Sequence, residues 1–511
     1  MPYNGRVKEA GFFIIFFVGI GLLGTIVPAI VKPADRAFTG LEGYSEDWVG
    51  YTSYIEEGIY GRNTVAIRSL PPPQGQTIIH IIYPLAGRIG GLFRFSAPLT
   101  YHIFRATLGI FYASLVYLFF RRFLGKTLGL AAFLIASLCG TLGWLGTLSF
   151  TSNNALQWAL RPHYLFGGIL FLISVWIIVV DDRRYIMSVL CGFFLALVHP
   201  PFAILLGLLS AGIFLWRRQK SCVANLGGIV MGLGIIAWAS WQYPLIWMLA
   251  SETSVFSDRV SLSTIVNELI TFGPNLWLGL PGLIVGTLRG KTRGVSQILL
   301  LWIILQFALF FFLYQFLHMQ RVRFIQSLYF IPLAFGTILF LQTIANKWKK
   351  SWMVGAGVII LLLISVPSYI HDVRASITGT TTYANYDAYT TFIFPSYPMV
   401  AAYQWLNVHT PKESVVLAGF EGANNIIVYS HNYVIGNIQG WPPGKKEMMV
   451  KERDDFFRGT QPAEEARAYL ARNQISFIYY GFQEKSLGNM SRYTFLKPVY
   501  ANAEVTIFAL Q

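Results

Sequence analysis

The chain has 511 residues, 54% hydrophobic and only 12% charged, with a net charge of +15. A soluble protein is nearer a quarter charged, so a string of soluble domains is excluded in favour of a large membrane domain with a smaller appendage. The basic excess does not point to nucleic acid: residues 1–369 hold 27 Lys/Arg against 12 Asp/Glu, while 370–511 hold 12 of each. Basic residues in short clusters between apolar runs follow the positive-inside rule. Cys139, Cys191 and Cys222 lie in or beside apolar runs and form neither a disulfide framework nor a metal spacing. Aromatic residues make up 16%, which suits two interfacial belts.

In chain order, residues 10–31 are uncharged and long enough to cross ~30 Å of hydrocarbon. Arg6 and Lys8 place the N-terminus of this span in the cytoplasm, and no small-residue cleavage site marks it as a removed signal. Residues 32–97 then form a first external loop. Within it, 78–93 is expected to lie in the interface. Apolar runs follow at 98–120, 127–149, 163–180, 186–216, 222–243, 274–288, 296–316, 324–344 and 352–368. The run 186–216 reads as two limbs broken at His199-Pro200-Pro201. Five basic clusters, at 121–126, 183–184, 217–220, 289–293 and 347–350, then share the cytoplasmic side. The expectation is a polytopic α-helical membrane protein of about eleven spans, with Asp181 and Asp182 salt-bridged among cytoplasmic arginines.

Residues 370–511 are expected outside, as a soluble α/β domain. Strand-like runs are 414–418, 433–436, 476–480 and 505–510. Helix-like runs are 399–409, 445–458 and 463–472, the last opened by Pro462. The stretch 379–397 reads as a linker. Gly419 and Gly422, after the first soluble strand, are a weak crevice signal that suits a strand-to-helix turn equally well.

The first external loop carries Glu46, Asp47, Glu56 and Glu57 in "EDWVGYTSYIEEG". Such carboxylates are often plain solvated loop residues. Asp47 stands out because Tyr51, Tyr54 and Ile55 follow at helical spacing. That gives a short helix with an aromatic face, suited to the headgroup layer. A carboxylate held there meets lipid-borne substrates and can act as a general base. Glu46 would orient it, bind a cation or face water. Asp35, also near the first span, is the fallback base.

A carboxylate pair in the first external loop after one N-terminal span resembles the C-class membrane glycosyltransferases. The loop matches the Asp-aromatic-x-x-Tyr-x-Ser-x-Ile-x-x-Gly pattern of a bacterial branch of that class. "WLNVHTPKESVVLAGFEG", "YVIGN" and "DDFFRG" are similar to the external domain of the same branch. The resemblance implies a polyprenyl-phosphate-sugar donor, an unspecified acceptor, the lipid bilayer as setting, and Asp47 as base. It leaves room for a divalent cation, but the late part of the loop, "RSLPPPQGQT", has Gln74 where relatives often have a second Glu.

Arg321 and Arg323 in "HMQRVRF" sit on the expected external side, against the bias of the other clusters. They either snorkel to headgroups or clamp a lipid phosphate; the resemblance supports the clamp. Arg161 and His163 in "WALRPHYLF" are either a plain loop before a helix or further donors to phosphate or sugar. His199 at the broken hairpin is a structural hydrogen-bond partner or a site residue. Tyr51 and Tyr54 complete the substrate-binding candidates. His80 is a weaker one, and Arg88, Arg94 and Arg105 are expected to snorkel. A transporter or flippase is the competing class, disfavoured by scarce charges within spans and little internal symmetry. A non-catalytic anchor would leave the loop carboxylates unexplained.

Overall fold

The computed structural model describes residues 12, 16, 19–40, 45–70, 78, 80–140, 142, 161–180, 183–242, 260–288, 291–317, 319–325, 328–378, 392–436 and 445–510. The chain divides into two compact units. One comprises residues 1–23, 103–238 and 256–374, the other 24–102, 239–255 and 375–511.

The first unit is helical. Among the described residues six helices are long and apolar enough to cross a membrane: Ala97–Leu124, Pro162–Val180, Pro200–Arg217, Lys220–Gln242, Arg293–Leu313 and Phe330–Trp348. A pair bent by 88°, Leu262–Thr271 and Pro274–Thr287, makes a seventh if counted as one span. The expected count of about eleven is thus met by six or seven, with Lys126–Leu138, Tyr185–Val198 and Trp352–Ser368 as shorter apolar helices. The shortfall is one of length: the first hairpin limb, Tyr185–Val198, ends at His199 and is too short to be counted by itself. Two further runs, 10–31 and 127–149, and Asp181 and Asp182, lie partly or wholly outside the described residues.

Proline sets several boundaries. Pro162, Pro200 and Pro274 each begin a helix, where a missing N–H costs nothing. At the hairpin break, His199 leaves helical geometry and its Nδ1 accepts from Phe202 N at 3.3 Å, capping the second limb. The bend before Pro274 is made at Gly273, with φ of 71°. Pro274–Thr287 then packs against Phe330–Trp348, where a Cβ on Gly282 would overlap the Gly336 carbonyl. Small residues let membrane helices approach this closely. Large apolar side chains such as Ile186, Leu215, Trp241, Leu288 and Phe316 point outward, as a lipid-facing surface requires. Arg105 does not snorkel as expected. It lies on the buried face of its helix with Leu108 and Tyr112, and is itself fully buried.

The second unit joins the first loop to the C-terminal chain. Five strands among the described residues form one sheet in the order β2-β1-β3-β5-β4. These are β1 Val415–Leu417, β2 Tyr433–Ile435, β3 Ile475–Tyr480, β4 Leu496–Ala501 and β5 Thr506–Leu510. β1 is parallel to β2 and β3, while β5 is antiparallel to β3 and β4. Helices Tyr397–His409, Lys445–Arg458 and Ala463–Arg472 match the expected runs within two residues. Ala66 of the first loop belongs to the same core as Val415, Leu417, Ile435, Phe456 and Leu470. Arg36 and Ser396 form a β-bridge, and Val434 N donates to Arg68 O at 2.8 Å. The loop is therefore part of this folded unit rather than an appendage of the span before it.

Candidate active site

The acidic stretch folds as the helix Ser45–Ile59. Asp47 lies in its first turn, where a negative charge is stabilised by the helix dipole. Glu46 is in the same turn, but its side chain lies outside the described residues. Trp48, Val49, Tyr51 and Ile55 are buried, so the aromatic face expected from spacing exists and faces protein. Tyr51 stacks on Tyr83 at 4.7 Å, and Tyr83 lies parallel to Tyr101 at 6.2 Å. Tyr51 is thus a member of a buried ladder. Tyr54 lies edge-on to Tyr51 and stacks over His80. Burial, and then the charge of Asp47, raise the Tyr54 phenol well above its usual range. Asp47 and Tyr54 therefore share one side of the helix. Within the stretch 78–93 the helix Ile82–Leu92 buries Tyr83, Ala86 and Gly87 and exposes Leu85, Ile89 and Leu92.

At the far end of Ser45–Ile59, Glu56 and Glu57 have a different use. Arg68 Nε and Nη2 donate to Glu57 Oε1 at 3.1 and 3.0 Å, and Nη1 donates to Glu56 Oε2 at 3.0 Å. Arg68 Nη2 also meets His431 Nδ1. Arg62 donates to Glu57 Oε2 at 3.1 Å and pairs with Glu413. Burial raises the Glu56 carboxyl to about 7 despite Arg68, with Glu57 adding to the rise. Burial and the cations Arg68, Arg62 and Lys412 lower His431 to about 3.

In the helical unit, four of the expected site residues converge. Arg323 Nη1 donates to Tyr164 Oη at 3.0 Å, and Arg161 Nη1 donates to the same oxygen at 3.4 Å. His163 and His199 flank that ring, with centroids 4.4 and 4.7 Å from it. Pro162 builds this corner by starting the helix directly after Arg161, which brings His163 and Tyr164 into the first turn. Both histidines are buried. Gln320 accepts from Arg323 Nε at 3.1 Å and so orients the guanidinium. Two guanidinium groups that meet on one phenol oxygen bring together donors of the kind that bind an anion with several acceptor oxygens.

Arg321 is placed differently. It makes a bidentate pair with Glu268, Nη1 to Oε2 at 2.7 Å and Nη2 to Oε1 at 2.5 Å, and lies over the Phe310 ring. Alternation along the chain thus sends Arg321 to a carboxylate and Arg323 to Tyr164. Asp35 is exposed in a turn. Gly419 and Gly422 mark a turn closed by the buried Glu484, which accepts from Gly419 N at 2.5 Å and Gly481 N at 2.9 Å. Burial raises that carboxyl above its usual range. Among the described residues no three His, Cys, Asp or Glu side chains gather to hold a metal ion; Gln74 lies outside them.

Sequence reading did not single out Tyr164, Glu268, Arg68 or His431. Tyr164 stands inside the "RPHYLF" motif and was within reach. Glu268 is the one carboxylate of an otherwise uncharged helix, Leu262–Thr271, and that isolation is its signal. Arg68 and His431 are 363 residues apart, and nothing local links them.

No family model matches the chain, and no curated protein matches it. Solved structures do. The apo crystal structure of the Archaeoglobus fulgidus oligosaccharyltransferase aligns over 100% of this chain and 75% of its own, with a TM-score of 0.54 and 12% identity. The same protein in complex with zinc and sulfate aligns over 98% and 73%, with a TM-score of 0.54 and 14% identity. ArnT from Cupriavidus metallidurans, bound to undecaprenyl phosphate, aligns over 97% of both chains, with a TM-score of 0.54 and 11% identity. Likeness at such identities concerns the fold. The chain shares the polytopic membrane fold of these structures, with a mixed α/β sheet in its C-terminal part.

Proposed function

We propose that this chain is a membrane glycosyltransferase that moves a sugar from a polyprenyl-phosphate donor to an acceptor on the external face, with inversion. The observation that carries the reading is the meeting of Arg161 and Arg323 on Tyr164 Oη beside His163 and His199, in a chain with this fold over its whole length. The solved structure bound to undecaprenyl phosphate supports a donor of that class. The external side, and the span count nearer eleven, rest on the five basic clusters.

The chemistry has two needs. A donor phosphodiester already carries its negative charge, and as its bond to the anomeric carbon breaks that charge grows. Guanidinium groups stabilise it best, by charge-assisted forked hydrogen bonds. Arg323 and Arg161 serve this role; Arg321, expected as a clamp, is engaged by Glu268. The acceptor hydroxyl or amine must lose a proton as it attacks. Asp47 takes it, the new bond forms opposite the leaving phosphate, and polyprenyl phosphate departs. Residues 370–511 remain assigned to the external side, with the first loop folded onto them.

The transporter reading keeps one supporting observation, the broken pair Leu262–Thr271 and Pro274–Thr287, since discontinuous helices are common in transporters. One experiment separates the two. Purified protein is offered undecaprenyl-phosphate sugars with an envelope extract as acceptor. Release of undecaprenyl phosphate supports transfer; movement of intact donor across proteoliposomes without release supports transport.

A further inference from the structure

The C-terminal sheet has no role in the chemistry described so far, yet it grips one end of the helix that carries Asp47. Arg68 lies in the middle of the first loop, and its carbonyl accepts from Val434 N in β2. β2 is an edge strand, and an open edge is a ready place for a further extended segment to dock. With its backbone held there, Arg68 reaches Glu57 through two nitrogens, Glu56 through a third, and Ser430 O at 3.4 Å. His431 adds a ring contact with Tyr60 at 4.1 Å, and Lys412 lies over the same Tyr60 ring at 4.5 Å. Arg62 ties Glu57 to Glu413. Glu57 and Arg68 are almost wholly buried, with side-chain exposures of 1% and 2%. Removing one partner of such a pair is costly because the other is left charged and buried.

The helix itself transmits this grip. From Glu57 back to Asp47 is ten residues, or about 15 Å of helix. Along that length Ser45–Ile59 is locked against Ile82–Leu92. A Cβ on Gly58 would overlap the Pro84 carbonyl, and one on Gly87 the Ile55 carbonyl. A rod held so closely on its flank and pinned at one end has little freedom at the other.

We infer that Arg68 is a positioning residue: through Glu57 and the His431 region it pins the helix Ser45–Ile59 to the C-terminal sheet and so fixes where the Asp47 carboxylate stands. This rests on the reading of Asp47 as the base. It gives the C-terminal chain a defined part in catalysis without any contact with the reacting atoms. A misplacement of about 1 Å can cost ~10²-fold in rate, so the consequence is measurable.

The test uses the full-length protein in detergent with an undecaprenyl-phosphate sugar as donor. Arg68→Gln is expected to lower kcat by about 10- to 100-fold, to leave donor KM within about twofold, and to speed hydrogen exchange of amides 47–59. Adding Glu57→Gln to Arg68→Gln removes the buried charge and lets two amides pair; kcat and exchange should both recover most of the loss. If the double variant regains slow exchange but not turnover, Arg68 acts on substrate directly and the inference fails. If Arg68→Gln speeds exchange while kcat stays at the parent value, the contact is only structural and the inference fails. Arg62→Gln, at a partly exposed site, should shift both readouts in the same direction by a smaller factor and carries the test where Arg68→Gln does not fold. Asp47→Asn run in parallel separates this inference from its premise. Full turnover in Asp47→Asn removes the base assignment itself, whereas a dead Asp47→Asn beside a fully active Arg68→Gln removes only the positioning role.

Discussion

Arg321 and Glu268 face each other fork to fork, two parallel hydrogen bonds joining a guanidinium and a carboxylate that is 4% exposed. The arginine that local sequence offers first as a phosphate clamp is thereby committed to the bent helix pair. Its neighbour two residues on is left to the aromatic corner. The expected outcome is a stability effect. Arg321→Ala or Glu268→Ala alone should each destabilise the helical unit by about 2–4 kcal/mol, because the first strands a buried carboxylate and the second a partly buried guanidinium. The double variant should lose clearly less than the sum. Thermal unfolding in detergent checks this; strictly additive losses would mean the two side chains do not depend on each other.

Arg323 and Arg161 should show the opposite pattern. Ala replacement of Arg323 is expected to weaken binding of undecaprenyl phosphate by roughly 30- to 1,000-fold, equivalent to ~2–4 kcal/mol for a partly desolvated charge-assisted contact. Arg161→Ala should act in the same direction. Tyr164→Phe removes only the shared hydroxyl and should cost about 3- to 10-fold, in line with ~1 kcal/mol for one hydrogen bond. Equilibrium binding of labelled lipid measures all three. Unchanged binding in both arginine variants would move the clamp elsewhere.

The Arg68 locus should respond to pH in two opposed ways. Glu56 faces Arg68, Glu57 and Tyr60, and its carboxyl is raised from 4.5 to about 7. Its contribution to stability is therefore full below about pH 4.5 and lost as pH rises through about 7. His431 faces Arg68, Arg62, Lys412 and Glu56, and is lowered from 6.5 to about 3. Its contribution is full above about pH 6.5 and lost as pH falls toward 3. The two slopes offset one another between pH 4.5 and 6.5. Glu56→Gln removes the first, so its stability advantage over the parent should be near zero at pH 4.5 and reach up to about 3 kcal/mol by pH 7.5. Unfolding midpoints across that range decide it; an advantage independent of pH would contradict the burial of an ionisable Glu56.

How far local sequence reaches is clear from particular residues. The break at His199-Pro200 was legible because two successive prolines disfavour an unbroken helix and suit the first turn of a new one, and the helices 445–458 and 463–472 because their polar and apolar residues alternate at helical period. β4 was missed since Lys497 and Pro498 disguise it; Pro is tolerated there because β4 is an edge strand. Asp47 and the arginine pair could be picked out as charges in unusual places. What joins them to partners could not. Tyr164 and Arg323 are 159 residues apart, Glu268 and Arg321 53 apart, and only packing decides which guanidinium meets which oxygen. The same holds for Glu56 and Glu57, which belong by sequence to one acidic patch with Asp47 and by structure to an ion pair with Arg68.

Membrane orientation yields a direct check. The native Cys139, Cys191 and Cys222 are buried, so background labelling should be low. Lys497→Cys, on an exposed part of β4, should react with a membrane-impermeant maleimide applied to intact cells. Reaction only after permeabilisation would place the sheet, and Asp47 with it, on the cytoplasmic side.

The central claim is that Asp47 accepts the proton of the acceptor while a polyprenyl phosphate leaves. The most direct measurement compares the parent with Asp47→Asn for undecaprenyl phosphate released from an undecaprenyl-phosphate sugar, with donor binding measured on the same preparations. Asn keeps the size and most hydrogen bonding of Asp but cannot take a proton. General-base help is worth ~10²–10⁴-fold, so turnover should fall by about that factor with donor affinity within about twofold of the parent. Full turnover in Asp47→Asn, with Asp35→Asn or Glu46→Gln abolishing it, would show that another carboxylate is the base; full turnover in all three would contradict the account.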